Sequence, residues 1–284
     1  MARQETAYAA MRRLAPQLLD AHEQKFTVDV TGGDADEYRF AAQDGKLALS
    51  GNSVGSVLNG FRDYLETSRI GHFSRGGNRA DVPETLPLPA EPVSRTSPHR
   101  YRYSTNFTVT GYTSPYWQWP QWERELDFLA ASGINLALVT VGTEAVWLDA
   151  FGEFGFDEKT LLSWIAPPAH NPFHQMGCMC GFGGMSRRLI EDRAELGHRI
   201  VERMRELDIE PVLPGFAGLV PGDIADTRAI PQGQWFGFDR PAWLPPTTPA
   251  FAEVAVAFYA KQEQRLGSVR AQAVDLLHEG GTSG

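Results

Sequence analysis

The stretch Ile134-Asn-Leu-Ala-Leu-Val-Thr-Val141 decides the fold, because it is a nearly continuous apolar run of strand length. Strands that are covered by helices on both faces have this composition, whereas half-exposed strands alternate apolar and polar residues. The residues before it predict a helix that has Pro120 in its first turn and ends at Gly133. The chain therefore enters a buried strand directly from a helix.

The same alternation of strand and helix continues on both sides of this stretch. Further strands are predicted at Tyr101–Thr108, Glu210–Phe216 and Ala271–Leu277, and further helices begin at Ser186 and Pro249. Repeated units of this kind predict an α/β fold, either a (β/α)₈ barrel or a doubly wound parallel sheet.

Polar residues at the strand ends favour the barrel. Asn106, Glu144 and the pair His278-Glu279 fall at or just past the predicted carboxyl ends of strands, where barrel enzymes carry their catalytic groups. A closed barrel needs eight strands, and residues 98–284 provide only four. We therefore expect the first half of a (β/α)₈ TIM barrel, and we expect the chain to be truncated.

A small α/β domain is predicted before the barrel. It comprises a helix over residues 5–22, strands at Lys25–Val30 and Leu47–Leu49, and a helix over residues 54–65. Residues 71–99 are rich in proline and predict a linker or a surface loop. We place the domain boundary near Ser97, which gives a small N-terminal domain at 1–97 and a barrel domain at 98–284.

The composition argues against several classes of protein. A formal net charge of -9 disfavours a nucleic-acid-binding protein, which needs a basic face. The apolar runs are shorter than the roughly 18 residues that identify a membrane-spanning helix. The first 20 residues lack the continuous apolar segment of a signal peptide. A cytoplasmic location is therefore expected, or secretion if the true start lies upstream.

The segment Asp275-Leu-Leu-His278-Glu279 places two carboxyl groups and an imidazole at the end of the fourth predicted strand. Glycosidases need a carboxylic acid that protonates the leaving oxygen and a second carboxylate opposite it. Spacing alone also allows a surface glutamate at a strand end. The aromatic residues between Tyr101 and Trp164 are equally open to two interpretations, core packing or a platform for the flat face of a sugar.

Two other motifs offer weaker alternatives. Residue types that bind zinc occur at His170, His174, Cys178 and Cys180, but the Cys-x-Cys spacing is tighter than zinc sites usually have. A glycine-rich loop with cysteine as a small apolar filler is the simpler interpretation. The run Gly181-Phe-Gly-Gly184 lacks the Lys-Ser/Thr that completes a phosphate-binding loop.

Several longer motifs are similar to those of a known enzyme family. They are Tyr101-Arg-Tyr-x-x-Asn106, Tyr116-Trp-Gln-Trp119, Gly142-x-Glu-Ala-Val-Trp147 and Pro211-Val-Leu-Pro-Gly-Phe-Ala-Gly-x-Val-Pro221. Over nearly its whole length the chain resembles the α-N-acetylglucosaminidase family, glycoside hydrolase family 89. The resemblance implies a retaining exo-glycosidase that removes terminal α-linked N-acetylglucosamine from glycans.

The resemblance also implies roles for individual residues. Glu279 corresponds to the general acid/base of the family. Substrate-binding roles are implied for Asn106, Thr108, Phe182, Asp275 and His278. No cofactor or metal is implied, because carboxylates and the bound sugar suffice for this chemistry. Where the family usually has Met-Gly-Asn and then a tryptophan, this chain has Met176-Gly-Cys178 and Phe182.

The nucleophilic glutamate of the family belongs to the second half of the barrel, outside residues 1–284. The expected partners are therefore a glycan with terminal N-acetylglucosamine and the missing C-terminal half of the barrel. Without that half, the isolated chain is not expected to be active. The alternative is a non-catalytic protein, either a truncated product or a carbohydrate-binding half-barrel that pairs with a separate chain.

Overall fold

The computed structural model describes residues 2–33, 35–275 and 278–279 as an α/β structure. The helices are α1 (Ala2–Leu14), α2 (Pro16–His22), α3 (Val54–Thr67), α4 (Phe107–Tyr112), α5 (Trp119–Ala131), α6 (Thr143–Gly152), α7 (Glu158–Trp164), α8 (Asn171–Gln175), α9 (Arg187–Glu206) and α10 (Pro249–Leu266). The strands are β1 (Phe26–Val30), β2 (Glu37–Gln43), β3 (Lys46–Gly51), β4 (Gly71–His72), β5 (Arg79–Ala80), β6 (Val93–Thr96), β7 (Tyr103–Ser104), β8 (Leu136–Leu138), β9 (Glu210–Pro214), β10 (Leu219–Val220), β11 (Gln234–Trp235), β12 (Phe238–Asp239), β13 (Ala242–Trp243) and β14 (Ala271–Ala273).

These elements form two compact units. The first consists of the residues up to Ser104 together with Trp119–Ala137 and Glu202–Glu210. The second contains Thr105–Gln118, Leu138–Val201 and the residues from Pro211 onward. The domain boundary near Ser97 stays a prediction.

The first unit is built on a four-stranded sheet in the order β1-β3-β2-β6. β1 pairs with β3 in parallel, and β2 pairs antiparallel with both β3 and β6. Helices α1 and α3 pack against this sheet, and α3 also packs against α5. The core contains edge-on aromatic contacts among Phe26, Phe40, Phe61 and Tyr64. The predicted linker over residues 71–99 is wrong in part, because β6 is an edge strand of this sheet.

A buried carboxylate connects three separate stretches of the first unit. Asp127 on α5 is 1% exposed and accepts hydrogen bonds from Arg13 Nε over 2.6 Å and from Arg203 Nη2 over 2.9 Å. Arg13 lies at the end of α1, and Arg203 lies in the last turn of α9. Two guanidinium groups thus compensate for the removal of this carboxylate from water.

The turn between β3 and α3 carries a pattern that resembles a hydrolase motif. Gly51-Asn-Ser53-Val-Gly55 has the Gly-x-Ser-x-Gly spacing of a nucleophilic serine. Ser53 has an extended backbone with φ -134°, and its Oγ accepts a hydrogen bond from the Ser56 N–H over 2.8 Å. This serine is the N-cap of α3.

The second sheet has the order β7-β8-β9-β14. The order of its strands in space is therefore the same as their order along the chain. The pairs β7–β8 and β9–β14 are parallel. Helices connect the strands, with α5 before β8, α9 before β9 and α10 before β14. This is the arrangement of a TIM barrel, and it confirms a small N-terminal domain followed by a partial barrel. The strand predicted at Ala271–Leu277 begins as expected, while residues 276 and 277 lie outside the described residues.

The first barrel strand is much shorter than predicted. The strand expected over Tyr101–Thr108 is limited to β7, because Thr105 has φ +70° and α4 begins at Phe107. Asn106 accepts from the Val109 N–H over 3.1 Å and caps α4. An N-cap asparagine competes with strand continuation, since its side chain satisfies a free N–H of the helix.

Residues 142–185 are helical in three places. It contains α6, α7 and α8. The helix α6 is buried over most of its length, including Thr143, Glu144 and Trp147. Helices without a polar face have no amphipathic period, so the pattern that identifies surface helices is missing here.

The two long helices of the barrel begin where the sequence predicts. Ser186 Oγ accepts from the Leu189 N–H over 3.2 Å, and Thr248 Oγ1 accepts from the Phe251 N–H over 3.3 Å. Among the described residues, no helix combines the length and the apolar character that a membrane crossing requires.

Candidate active site

The loop after β14 brings together three residues that the sequence assigns to the site. His278 Nδ1 lies 3.2 Å from Asp275 Oδ2, and His278 Nε2 lies 3.7 Å from Glu279 Oε1. The imidazole thus stands between the two carboxylates. Glu279 has a left-handed backbone with φ +52°, which a residue other than glycine rarely adopts. The position agrees with the predicted strand end, and the roles of these residues stay predictions.

The carboxylate of Glu279 has a defined orientation. Trp235 Nε1 donates a hydrogen bond to Glu279 Oε2 over 2.9 Å. The indole ring stacks on Phe173, with ring centroids 5.4 Å apart and an interplanar angle of 27°. The side chain of Glu279 is 54% exposed, so the group is held in place and is still accessible to a ligand.

The backbone of the same loop is held by Arg240. Its Nη1 donates to the carbonyls of Gly177 over 3.0 Å and His278 over 3.2 Å, and its Nη2 donates to the carbonyl of Glu279 over 2.8 Å. Arg240 is itself buried. Cys178 Sγ lies 3.8 Å from the His278 carbonyl. Arg240 fixes the strained loop that carries Glu279.

Asn106 and Thr108 have contacts at the start of α4. Asn106 Oδ1 accepts from the Thr108 hydroxyl over 2.8 Å as well as from the Val109 N–H. The capping oxygen is therefore occupied twice; Asn106 is exposed, and Thr108 is half-buried beside it. The sugar-binding roles of both residues stay predictions.

Phe182 is connected to Glu279 through a hairpin. Its ring lies 5.2 Å from the ring of Phe238 on β12, and β12 pairs antiparallel with β11, which carries Trp235. The other neighbour of Phe182 is His170, with ring centroids 4.5 Å apart. The substrate-binding role of Phe182 also stays a prediction.

The carboxylate of Glu144 is engaged in contacts that stabilise the fold. It is completely buried, with Arg193 Nε donating to Oε1 over 2.6 Å and the Gly142 N–H donating to Oε2 over 2.9 Å. Its polar character at a strand end thus reflects a buried ion pair and a bond at the start of α6.

The four candidate zinc ligands of the sequence, His170, His174, Cys178 and Cys180, are not arranged as a metal site. His174 lies between Trp147 and Trp164, and its Nδ1 accepts from the Ala166 N–H over 3.1 Å. Burial lowers the pKa of His174 to about 3. Burial raises the thiol pKa of Cys178 and of Cys180 to about 11, so both thiols stay protonated near neutral pH. Within the described ranges, no group of three or more His, Cys, Asp and Glu side chains is arranged to hold a metal.

Three residues of the site are not identified by the sequence patterns: Phe173, Trp235 and Arg240. Trp235 and Arg240 come from the loop-rich segment between β9 and α10, and the hairpin β11–β12 brings them to Glu279. No spacing relates them to residue 279, because the contact arises from tertiary structure. The aromatic content of that segment is the signal that could have drawn attention to it.

Family comparisons match both parts of the chain. The N-terminal domain of α-N-acetylglucosaminidase (NAGLU) matches residues 9–88, and the TIM-barrel domain of the same family matches residues 102–284. Human α-N-acetylglucosaminidase is 28% identical over 264 residues, which cover 89% of this chain and 34% of the human protein.

Solved structures give the same relationship. The family 89 glycoside hydrolase from Clostridium perfringens in complex with PUGNAc has a TM-score of 0.93 and 32% identity, covering 100% of this chain and 33% of that one. The Clostridium perfringens enzyme in complex with its substrate, GlcNAc-α-1,4-galactose, has the same score, identity and coverage. The chain spans about a third of the length of these relatives.

Proposed function

The chain belongs to the α-N-acetylglucosaminidase family, and we propose that it provides the acid/base half of a retaining exo-glycosidase acting on terminal α-linked N-acetylglucosamine. One observation carries the proposal. At the end of the fourth barrel strand, Glu279 presents an accessible carboxylate that Trp235 orients and whose backbone Arg240 fixes. Catalytic carboxylates of barrel enzymes occupy such positions.

The reaction uses Glu279 twice. In the first step its carboxyl group gives a proton to the glycosidic oxygen while the bond between that oxygen and the anomeric carbon breaks, and the sugar is transferred to a second carboxylate. In the second step Glu279 takes a proton from the water that attacks the anomeric carbon, which frees the sugar and restores both carboxyl groups.

The second carboxylate must lie about 5–5.5 Å from the first in a retaining enzyme. Asp275 does not suit this role, because His278 stands between its carboxylate and that of Glu279. The family resemblance assigns the nucleophile to the second half of the barrel. The proposal therefore includes a further segment or a partner chain that completes the site.

The test uses the product of the source gene, read beyond codon 284, with and without Glu279→Gln. The variant is expected to hydrolyse GlcNAc-α-1,4-galactose about 10²- to 10⁴-fold more slowly, the range for loss of an acid/base group. With 4-nitrophenyl α-N-acetylglucosaminide, the variant is expected to carry out the first step at a rate much closer to that of the wild type. Nitrophenolate can leave without a proton, so this substrate does not need the general acid. Glu253→Gln, an exposed position on α10, is the matched control and is expected to keep the wild-type rate.

Two results would contradict the proposal. Unchanged hydrolysis of the disaccharide by Glu279→Gln would remove the acid/base assignment. Release of N-acetylglucosamine by the isolated 284-residue chain would remove the need for a second carboxylate from elsewhere. A gene that stops at codon 284, with no coding sequence for a complementary half nearby, would favour the alternative of a protein that binds carbohydrate without hydrolysing it.

A further inference from the structure

Three exposed phenylalanines are linked to Glu279 through Trp235 and its hairpin, and they are called the aromatic patch below: Phe182, Phe236 and Phe238. Their exposed fractions are 52%, 83% and 36%. Phe182 contacts Phe238, and the ring of Phe236 lies 5.0 Å from that of Trp235, the residue that donates to Glu279. Contiguous exposed apolar groups on a folded protein mark binding surfaces.

Two members of the patch have a backbone conformation that phenylalanine rarely adopts. The φ angle is +64° at Phe182 and +48° at Phe236. Phe236 and Gly237 connect β11 to β12, and a two-residue hairpin turn of this kind favours asparagine before the glycine. A left-handed backbone in a bulky residue costs free energy, and exposed rings recover little of it through packing. The fold alone would therefore favour a smaller residue at both positions.

The position of the patch indicates which part of a ligand it meets. The acid/base group contacts the glycosidic oxygen, so the sugar that leaves with this oxygen lies on the side of Glu279. Trp235 joins Glu279 to the patch, since it donates to the carboxylate and its ring contacts Phe236. Beyond Phe182 the surface continues into an open hollow of about 720 Å³, whose lining includes Thr160 and Asp239. These groups provide a hydroxyl and a carboxylate for sugar hydroxyls.

On the basis of the function proposed above, we infer that the aromatic patch binds the leaving-group sugar, a pyranose whose apolar face packs against the rings of Phe182, Phe236 and Phe238. The Clostridium perfringens relative was solved with its substrate GlcNAc-α-1,4-galactose, in which galactose is the leaving-group sugar. The patch adds affinity for a linked second sugar and does not contact the terminal N-acetylglucosamine. It therefore selects the glycan context of the bond that is cleaved.

The test compares two sugars on the 284-residue chain by isothermal titration calorimetry, N-acetylglucosamine and GlcNAc-α-1,4-galactose. The wild-type chain is expected to bind the disaccharide more tightly. Phe236→Asn is expected to weaken disaccharide binding about three- to tenfold, the worth of one aromatic contact, and to leave N-acetylglucosamine binding unchanged. Asparagine tolerates the left-handed backbone, so this variant is also expected to unfold at a higher urea concentration.

Ala225→Asn is the matched control, because Ala225 is exposed in a turn of the same unit with φ +47°. It is expected to keep both wild-type affinities. Equal wild-type affinity for the two sugars, or an equal loss for both sugars in Phe236→Asn, would overturn the leaving-group assignment while the proposed function stands. A Phe236→Asn chain that is less stable and binds normally would assign the ring to the fold. A wild-type chain that binds neither sugar would overturn the assignment of the patch, whereas the acid/base role is decided separately by Glu279→Gln in the product of the source gene.

Discussion

Arg240 Nη2 donates to the backbone carbonyl of Glu279 over 2.8 Å, and Glu279 holds a left-handed backbone at that point. The same guanidinium binds the carbonyls of Gly177 and His278. A single planar cation therefore joins the loop after β14 to the loop after α8. The fixed fork of arginine suits this task, because several donors act from one rigid group.

Replacement of Arg240 by glutamine is expected to lower the free energy of unfolding by about 2 kcal/mol, because buried carbonyls lose a charged donor. Urea denaturation measures the change. Arg240→Lys is expected to recover part of it, since an ammonium group donates without the planar fork. Arg79→Gln is the control, an exposed arginine paired with Asp81, with an expected change within about 0.5 kcal/mol. A similar effect for both arginines would show that Arg240 does not hold the loop.

Glu144→Gln is expected to destabilise the fold by about 3 kcal/mol, because it leaves Arg193 as a buried cation without its carboxylate. Urea denaturation followed by circular dichroism measures this free energy. Glu158→Gln breaks the exposed pair with Arg187 and is expected to change stability by less than about 0.5 kcal/mol. A Glu144→Gln chain of wild-type stability would contradict the structural role.

His174 makes stability depend on pH. Its folded pKa is lowered to about 3 by burial, while the unfolded value is about 6.5. Below pH 6.5 the unfolded chain therefore takes up a proton that the folded chain does not, and stability falls by up to about 1.4 kcal/mol per pH unit as the pH decreases.

Urea denaturation between pH 7 and pH 5 measures this slope. His174→Phe is expected to reduce the slope by the equivalent of one proton, whatever its overall stability. Leu161→Ala is the control, a buried position that does not titrate, and it is expected to lower stability with an unchanged slope. An identical slope in wild type and His174→Phe would contradict the prediction.

The thiol of Cys180 is expected to react slowly with iodoacetamide at pH 8. With a pKa of about 11, roughly one thiol in a thousand is ionised at that pH, and the thiolate is the reactive form. Mass spectrometry of a Cys178→Ser chain follows Cys180 alone. The same chain in urea provides the reference, where the unfolded thiol should react much faster. Equal rates in buffer and in urea would contradict a raised pKa.

Much of the fold follows from local patterns. The apolar run around β8, the serine cap of α9 and the proline at the start of α10 are properties of short segments. Two kinds of element escape such patterns. The helix α6 is buried almost all round, so its composition shows no period. The edge strand β6 is mostly exposed and lies in a segment rich in proline, so its sequence resembles a loop.

The site divides in a similar way. Asp275, His278 and Glu279 are near one another in the chain and follow a predicted strand. The sequence therefore predicts that they lie together at the end of that strand. Trp235 and Arg240 reach Glu279 from about 40 residues away, through a hairpin whose placement depends on the whole unit. The acid could therefore be identified by resemblance, and the residues that hold it required the structure.

The carboxylate of Asp127 has a consequence for synthesis on the ribosome. Its partners Arg13 and Arg203 are separated by most of the chain, so translation delivers the last of the three long after the first. Until then the nascent N-terminal segment also lacks α5, against which α3 packs. The part of the protein that emerges first is therefore completed late, and a fragment cut near residue 97 would expose an apolar helix face to solvent and to chaperones.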